Sequence, residues 1–358
     1  MNAGRFARQA PIEGWRQESL AEATAVIVGA GALGNEVVKN LALAGLGRFV
    51  LCDDDVVAES NLNRALAFGL CDVGRAKVDV VASAIARWNP AAKVEVRTTR
   101  HLSGLGLGEL ADAQIVVSCL DSRKSRLDLL ERCARVDAPL VDGGTGPWSG
   151  EVRVRTDLDQ GCYSCTLSPF DRSVSDVPRS CLEIDEPGPA QASIATTALV
   201  ASWMTVAVLR TIFRVPLPYR LLRIDAASGT TTPVALRRDP ECPNHRVLPA
   251  PERLSAISVR SRVRELLAAL PDGSDVRSWT PIEVRRRCLR CQAPLPGSSG
   301  SVGPATCDAC GARHRHREST ILADAAPDAV LADLGIAPEE ILPIVSTEGA
   351  FSWVRLGR

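Results

Sequence analysis

A glycine-rich turn between a short apolar strand and a helix constrains the fold of this chain more than any other feature. The strand AVIV is followed by G-A-G-A-L-G and then by a helical pattern that stops at Gly45. Three glycines, Gly29, Gly31 and Gly34, allow a tight turn and a close approach of the backbone to a phosphate, which the helix N-terminus then faces. The sequence therefore predicts a nucleotide-binding unit of strand, turn, helix and strand.

Strand and helix signals continue to alternate after this unit. Further strands are predicted over KVEVRTTR, QIVVSCLDS and APLVDGG, with helices from about Ala76 to Trp88 and over SRLDLLERCARVD. GEVRVRTD is expected to be an exposed strand, and RLLRIDAA and TTPVALRR to form a hairpin across Ser228–Gly229. This order predicts an α/β fold with a doubly wound, mostly parallel, Rossmann-like sheet.

Length and composition predict two soluble domains. The 358 residues include 46% hydrophobic and 23% charged residues, an ordinary balance for a globular protein. The proline-containing segment VLPAPE indicates a boundary, so we expect a nucleotide-binding domain over 1–248 and a small domain over 249–358. The formal net charge of +0 gives no general attraction to nucleic acid or to an anionic membrane, and neither is expected as a partner.

One apolar stretch, from Ala190 to Phe213, is long enough to suggest a membrane span. Polar residues interrupt it, including Gln191, Thr196 and Arg210, and this pattern favours a helix in the core of a soluble domain. The N-terminal residues lack the apolar run of a signal peptide. We therefore expect a cytoplasmic protein.

Polar residues that follow the strands point to a nucleoside triphosphate. Asp53 ends the second strand, where a carboxylate can accept hydrogen bonds from ribose hydroxyls. Asn61, Arg64 and Lys77 follow, and Lys77 is one of only four lysines in the chain. A nicotinamide-dependent oxidoreductase does not need these residues, whereas a triphosphate does. Asp121 ends a later strand at the same sheet edge and can bind Mg²⁺.

The ordered set of motifs resembles a known family. Arg8-Gln9, GAGALG, D-x-D-x-V-x-x-SNLNR, GRAK and SCLDS-x-x-x-R are similar to the adenylation domain of the ThiF–MoeB family, which includes ubiquitin-activating enzymes. The resemblance covers residues 5–245. It departs at Ser122, where the family often has asparagine, and at Ala65, where it often has glutamine. Neither departure removes a main charge.

The resemblance implies that the C-terminal carboxylate of a small ubiquitin-like or sulfur-carrier protein attacks the α-phosphate of ATP. Asp53 would then bind the ribose, while Asn61, Arg64 and Lys77 would bind the phosphates. Asp121 would bind magnesium. Arg8 resembles the arginine that one subunit of the family's dimers contributes to its partner's site, which implies a homodimer.

Two short ligand pairs predict a first zinc site. Cys162 and Cys165 form one C-x-x-C pair, and Cys242 and His245 form a second pair much later in the chain. Three thiolates and one imidazole complete a tetrahedral zinc site of the structural type. The resembling family usually has four cysteines here. A closed site of this kind would tie the crossover region before the apolar helix to the C-terminal hairpin.

A second zinc site is predicted near the C-terminus. The pairs Cys288/Cys291 and Cys307/Cys310 are separated by fifteen residues, a spacing typical of a zinc ribbon. Such a ribbon could be a docking module for a partner or only a cross-linked core. Composition does not distinguish these two roles.

Cys181, in the segment VPRSCLE before the apolar helix, belongs to neither cysteine set, and the resemblance to the family makes it the candidate nucleophile. The resemblance implies that a cysteine here forms a thioester, an acyl-disulfide or a persulfide with the activated protein. Thiolate attack on an acyl-adenylate is favourable because AMP is a good leaving group. Cys52, Cys71, Cys119 and Cys133 are instead expected to be packing residues.

Four hypotheses follow. The first is a ubiquitin-like modifier activating enzyme that uses ATP and Mg²⁺, captures the modifier on Cys181 and passes it on, for instance to a conjugating enzyme. The second is adenylation of a sulfur-carrier protein for thiocarboxylate formation, although a zinc ribbon rather than a rhodanese domain follows the first domain. The third is an inactive nucleotide-binding scaffold. A nicotinamide oxidoreductase comes last, since no candidate hydride-transfer residues follow.

Overall fold

The structure is a computed structural model, and it describes residues 4–173, 193–284, 288, 290–293, 305–314 and 318–358. Internal contacts divide the chain into two compact units, Met1–Val247 and Leu248–Arg358. The predicted nucleotide-binding motifs and the first cysteine–histidine set belong to the first unit. The zinc-ribbon cysteines belong to the second.

The first unit alternates strands and helices along the chain. Its helices are α1 (Gln17–Glu22), α2 (Ala32–Ala44), α3 (Lys77–Trp88), α4 (His101–Gly104), α5 (Leu107–Asp112), α6 (Arg123–Arg135), α7 (Pro169–Ser173) and α8 (Ile194–Ile212). Its strands are β1 (Thr24–Val28), β2 (Arg48–Cys52), β3 (Lys93–Arg97), β4 (Ile115–Ser118), β5 (Leu140–Thr145), β6 (Ser149–Arg155), β7 (Leu221–Asp225) and β8 (Thr230–Val234).

These strands form one eight-stranded sheet in the order β3-β2-β1-β4-β5-β6-β7-β8. The first five run parallel, and β6, β7 and β8 add an antiparallel edge. The order reverses at β1, since β2 lies on one side and β4 on the other. Ligands of such sheets bind at the carboxyl ends of the strands beside this reversal. The predicted mostly parallel, doubly wound fold is confirmed.

Burial explains the parallel part of the sheet. β1, β2 and β4 are apolar and almost wholly buried, as expected for strands covered by helices on both faces. The predicted hairpin is confirmed as β7 and β8, and Gly229 in its turn has a positive φ of 71°. The expectation that GEVRVRTD is an exposed strand was wrong. It is β6, paired on both sides, and alternate side chains such as Val152 and Val154 are buried.

The apolar stretch forms α8, which is long and apolar enough to cross a membrane by length and composition. One face of α8 packs into the core of the first unit through side chains that include Val200, Met204 and Val208, all fully buried. The prediction of a core helix is therefore correct for this face. Ile194 and Leu199 lie exposed on the other face.

The second unit is built on a five-stranded sheet of order β13-β10-β14-β15-β9. Its elements are β9 (Glu252–Leu254), α9 (Val263–Ala268), β10 (Asp275–Glu283), β11 (Ala305–Thr306), β12 (Arg313–His314), β13 (Glu318–Ile321), β14 (Ile341–Val345) and β15 (Phe351–Leu356). It has its own apolar core, which includes Val263, Leu266, Leu322 and Leu342. β11 and β12 pair separately beside the second cysteine set.

Candidate active site and metal centres

The glycine turn lies between β1 and α2, and each of its three glycines meets a different constraint. Gly29 has a φ of 94°, and a Cβ there would lie 2.6 Å from the carbonyl oxygen of Cys119. A Cβ on Gly34 would lie 2.1 Å from the carbonyl oxygen of Gly29. A Cβ on Gly31 would meet nothing within 4 Å. Gly29 and Gly34 thus allow close packing of the backbone, and Gly31 leaves open space at the start of α2 for an anion.

Asp53 follows β2 and closes one side of this turn. Its Oδ2 accepts a hydrogen bond of 2.6 Å from the Ala30 N–H, and its Oδ1 accepts one of 2.8 Å from the Asp55 N–H. Burial raises the pKa of the Asp53 carboxyl, while the two backbone N–H groups and Lys77 oppose that rise. Each carboxylate oxygen keeps a second lone pair, so the group can also accept a bond from a sugar hydroxyl.

Asn35, which the sequence analysis did not identify, holds the turn in place. It is fully buried on α2, and its side-chain amide donates to the carbonyl oxygens of Ala30 (2.8 Å) and Gly31 (3.0 Å). Its Oδ1 accepts a bond of 2.9 Å from the Ala67 N–H. The amide therefore joins the glycine turn to the loop that carries Asn61 and Arg64. An asparagine next to the apolar residues of this helix was the available signal.

The predicted phosphate-binding residues lie on and beside this loop. The Asn61 Oδ1 accepts from the Ala58 N–H at 3.0 Å, which leaves its amide nitrogen on the other side of the side chain. Arg64 donates to the Ser60 carbonyl oxygen at 2.7 Å and to Asn63 at 2.9 Å. These bonds shape the loop, and they direct the Arg64 guanidinium toward loop atoms in this structure.

Lys77 starts α3 and approaches the strand ends more closely. Its side chain is largely buried, and its Nζ lies 2.7 Å from Oδ2 of Asp55, whose carboxylate is mostly exposed. The positive charge of Lys77 also partly offsets the rise that burial causes in the pKa of Asp53. A buried ammonium paired with an exposed carboxylate can exchange that partner for a phosphate oxygen at a small desolvation cost.

Asp121 lies two residues beyond Cys119 at the carboxyl end of β4, next to β1. The Cys119 N–H donates to the Val28 carbonyl oxygen at 2.7 Å, which fixes this turn against the strand that leads into the glycines. Ser122 caps α6 by accepting from the Ser125 N–H at 3.2 Å. Asp121 itself is exposed. An exposed carboxylate at this edge fits the oxygen ligands that Mg²⁺ prefers.

The other two residues expected in catalysis are placed differently. Arg8 is exposed in a turn before α1, and its predicted role in a partner subunit stays a prediction. Cys181 lies outside the described residues. Of the cysteines expected to pack, Cys52 and Cys133 are buried, but Cys71 is exposed in the loop before α3, so that expectation was wrong for Cys71.

The first zinc set converges as its spacing predicts. The ligand atoms of Cys162, Cys165, Cys242 and His245 all lie within 4.8 Å of one another. The Sγ of Cys162 is 3.7 Å from that of Cys165 and 3.8 Å from that of Cys242. Thiolates at about 2.3 Å from a tetrahedral zinc would be about 3.8 Å apart. The residues present therefore fit zinc.

His245 is oriented for this role by a backbone contact. Its Nε2 lies 3.1 Å from the Cys165 Sγ, and its Nδ1 lies 2.7 Å from the Leu158 carbonyl oxygen. An Nδ1–H donated to a carbonyl leaves Nε2 as the metal-binding nitrogen, the usual arrangement of zinc-bound histidines. Histidine can therefore replace the family's fourth cysteine here.

The second zinc set, Cys288, Cys291, Cys307 and Cys310, is also grouped within 4.8 Å. The two pairs sit on turns of the same shape. The Cys288 N–H donates to the Ala293 carbonyl oxygen at 2.8 Å, and the Cys307 N–H donates to that of Ala312 at 2.9 Å. Two matching turns facing each other are the geometry of a zinc ribbon, and the donor set fits zinc.

The sequence profile of the ThiF family matches residues 6–244, about two-thirds of the chain. The chain belongs to the ThiF family. The matched range spans the whole eight-stranded sheet and ends within the first zinc set, while the second unit lies outside it.

Curated relatives share this region. The chain is 30% identical over 230 residues to the sulfur carrier protein ThiS adenylyltransferase of Escherichia coli, covering 63% of this chain and 87% of that protein. It is 32% identical over 234 residues to a sulfur carrier protein adenylyltransferase of Thermus thermophilus, covering 63% and 83%. Human ubiquitin-like modifier-activating enzyme 1 is 32% identical over 171 residues, which span 44% of this chain and only 16% of that enzyme.

Among solved structures, E. coli MccB superposes with a TM-score of 0.56 at 21% identity, covering 70% of this chain and 75% of that one. PaaA superposes with a TM-score of 0.52 at 20% identity, covering 65% and 73%. These likenesses show the fold of the ThiF domain. The family match and the curated relatives show that the protein is an ATP-dependent adenylyltransferase.

A buried histidine at the same sheet edge was also missed from the sequence. His101 starts α4 just after β3, is 8% exposed, and its Nε2 has no hydrogen-bond partner among the described residues. Burial lowers the pKa of His101 to about 4, so the ring is neutral at neutral pH. Asp54 and Asp128 oppose that shift, which places a neutral polar ring near the acidic run after β2.

Proposed function

We propose that the protein transfers the adenylyl group of ATP to the C-terminal carboxylate of a ubiquitin-like protein and then captures the acyl group on Cys181 as a thioester. A carboxylate oxygen attacks the α-phosphorus, the α–β phosphoanhydride bond breaks, and pyrophosphate leaves. The Cys181 thiolate then attacks the acyl carbon, and AMP leaves. The observation that carries the proposal is the grouping of the glycine turn, Asp53 and Lys77 at the edge where the sheet order reverses.

The charges at this edge suit a reaction between two anions. The attacking carboxylate and the triphosphate repel each other, so cations must offset that repulsion and stabilise the departing pyrophosphate. Lys77 and the N-terminus of α2 supply positive charge beside Asp53. Arg64 and Asn61 can join them if the nucleotide replaces their loop partners. Magnesium held by Asp121 would neutralise the negative charge of the phosphate oxygens. This charge stabilisation is what a metal ion contributes to phosphoryl transfer.

A second candidate is adenylation of a sulfur-carrier protein for thiocarboxylate formation. It is favoured by the two bacterial relatives, which are named as adenylyltransferases of such proteins and match over more than four-fifths of their own length. The ubiquitin-activating relatives match over a much smaller share. Adenylation is common to both candidates, and they differ only in what attacks the acyl-adenylate.

The remaining elements of the proposal concern assembly. A cytoplasmic homodimer would bring Arg8 of one subunit to the partner's nucleotide, and a conjugating enzyme would be the receiver in the thioester route. The second unit would serve as a docking module for one of these proteins or as a zinc-linked extension.

Adenylation is tested by ATP–pyrophosphate exchange. Candidate small proteins with an accessible C-terminal carboxylate are mixed with the enzyme, Mg²⁺, ATP and labelled pyrophosphate. We expect exchange only with a cognate protein, because the reversible step needs the acyl-adenylate. The matched control is the same small protein shortened by its last residues. ATP binding without exchange in any mixture would favour the inactive scaffold.

The fate of the acyl group is tested with cysteine variants. In the thioester route, the modifier forms an adduct on the wild-type enzyme that dithiothreitol cleaves. We expect Cys181→Ala to abolish this adduct while keeping pyrophosphate exchange, since the thiol acts after adenylation. Cys71→Ala, which removes an exposed thiol of the first unit, should change neither. Full downstream transfer by Cys181→Ala would contradict the assignment and favour another nucleophile, such as a sulfur donor.

A further inference from the structure

The turn that carries Asp121 is held by one buried arginine. Arg126, in the first half of α6, is 5% exposed, and its Nη2 donates to the carbonyl oxygen of Leu120, the residue before Asp121. Its Nη1 donates to the Gly143 carbonyl oxygen at 2.6 Å and to both carboxylate oxygens of Asp142 at 2.9 and 3.0 Å. The main chain just before Asp121 is thus bonded to a guanidinium that β5 holds from the other side.

Asp142 extends this contact to the next strand. Its Oδ2 also accepts from Nη1 of Arg153 on β6 at 2.9 Å, and the Asp142 carboxylate is almost fully buried. Arg153 pairs in addition with Glu151. Buried charges of this kind hold their positions closely, because moving one leaves another without a partner in a low-dielectric interior.

The end of this series of contacts lies at the first zinc set. The guanidinium of Arg153 lies over the ring of Tyr163, 4.2 Å from its centroid. Tyr163 follows Cys162 directly and begins the short helix Tyr163–Thr166, which contains Cys165. Two zinc ligands therefore flank the tyrosine, and zinc would fix the ring on which Arg153 rests.

We propose that Tyr163, Arg153, Asp142 and Arg126 form a positioning relay through which the first zinc centre fixes the turn that presents Asp121 to magnesium. The four are positioning residues, since none of them is placed against the nucleotide. The relay rests on the proposed role of Asp121. Its consequence is that a change at Tyr163 alters magnesium use at the far end of the series without altering the glycine turn or Asp53.

The relay predicts a selective loss of magnesium affinity. The substitution Tyr163→Ala removes the aromatic ring that packs against one face of the Arg153 guanidinium. Through the relay, the turn that carries Asp121 is then held less firmly. Loss of a group bonded directly to a metal ligand typically weakens metal binding roughly 10–100-fold, and Tyr163 acts at longer range, so we take the lower end of that span. We expect the Mg²⁺ concentration for half-maximal ATP binding to rise about tenfold, while ATP binding in EDTA stays as in the wild type. Isothermal titration of ATP at a series of Mg²⁺ concentrations measures both, independently of turnover.

Three further variants separate the relay from general destabilisation. Tyr163→Phe keeps the ring under Arg153 and should bind Mg²⁺ as the wild type does. Tyr163→Leu fills much of the same space without a ring face, so it should share the shift of the alanine variant even if that variant folds poorly. Tyr219→Ala removes the other tyrosine, which packs against Trp203 in the same unit, and should lower stability without changing magnesium dependence.

The outcomes are distinct. An unchanged magnesium dependence in both Tyr163→Ala and Tyr163→Leu would overturn the relay, as would an equal shift in Tyr219→Ala. A loss of ATP binding in EDTA would also overturn it, because the effect would then reach the nucleotide site as a whole. If the wild type binds ATP without any magnesium dependence, the proposed role of Asp121 fails, and the relay fails with it.

Discussion

Replacing Lys77 with alanine is expected to slow pyrophosphate exchange by roughly 10²–10³-fold, the usual effect of removing one group that stabilises developing charge. Lys77 is largely buried at the start of α3, and its ammonium is held at the strand ends by Asp55 at 2.7 Å. With the side chain gone, Asp53 and Asp55 stay beside the proposed phosphate site, and the local charge becomes repulsive to a triphosphate. The initial rate at saturating ATP and partner protein measures the effect.

Lys93→Ala is the matched control. Lys93 is exposed at the start of β3, the opposite end of that strand from the nucleotide edge, so its removal should change the exchange rate less than about twofold, as an ordinary surface substitution does. Equal rates for the Lys77 and Lys93 variants would contradict the proposed site. A lower rate with unchanged ATP affinity would place the contribution of Lys77 in the transition state rather than in binding.

The Lys77 variant also tests the proposed homodimer. If Arg8 acts in the partner's site, a mixed dimer of Lys77→Ala and Arg8→Ala subunits has one damaged site and one intact site. Co-expression of the two inactive variants should then restore part of the exchange activity. A mixture that stays inactive, although mixed dimers form, would place Arg8 in its own subunit's site, and an Arg8→Ala enzyme that is active by itself would place Arg8 outside any site.

The features that could be predicted from the sequence are those that depend on the spacing of nearby residues. The glycine turn follows from three positions in six residues, and each zinc set follows from pairs whose ligands face one side of a tight turn. The parallel sheet follows from the alternation of strands and helices. These features can be predicted because they depend only on local geometry, or on the fact that the carboxyl ends of parallel strands lie at one edge of the sheet.

What could not be predicted depends on contacts between distant segments. Asn35 is a polar residue inside an apolar helix, and its partner at Ala67 is known only when the loop is in place. Arg126 belongs to a quoted motif, but its role follows from Asp142 on another strand. GEVRVRTD was expected to be an exposed strand, but its Arg153 and Arg155 pair with Asp142 and Asp137, which lie on other segments of the chain.

Loss of the first zinc centre is expected to destabilise the ThiF domain more than any other single change. Its two ligand pairs are 80 residues apart, and they join the segment after β6 to the segment after β8. Structural zinc contributes apparent binding free energies of about 10–16 kcal/mol in small zinc domains, and a domain of this kind is stable by only about 5–15 kcal/mol. Even with part of that energy retained by the remaining ligands, Cys242→Ser should abolish or strongly lower the cooperative unfolding transition of the first unit.

Measurements of zinc content and of thermal unfolding together test the contribution of the first zinc centre to stability. The wild type should carry two zinc ions per chain, and Cys242→Ser and Cys307→Ser should each carry one. Only Cys242→Ser should lower the transition of the first unit, because Cys307 belongs to the second unit. Cys71→Ser, which alters an exposed thiol outside both sets, should change neither zinc content nor stability. A Cys242→Ser variant that loses its zinc but unfolds like the wild type would show that backbone packing, not the metal, holds these segments together, and the relay to Asp121 would then lose its anchor.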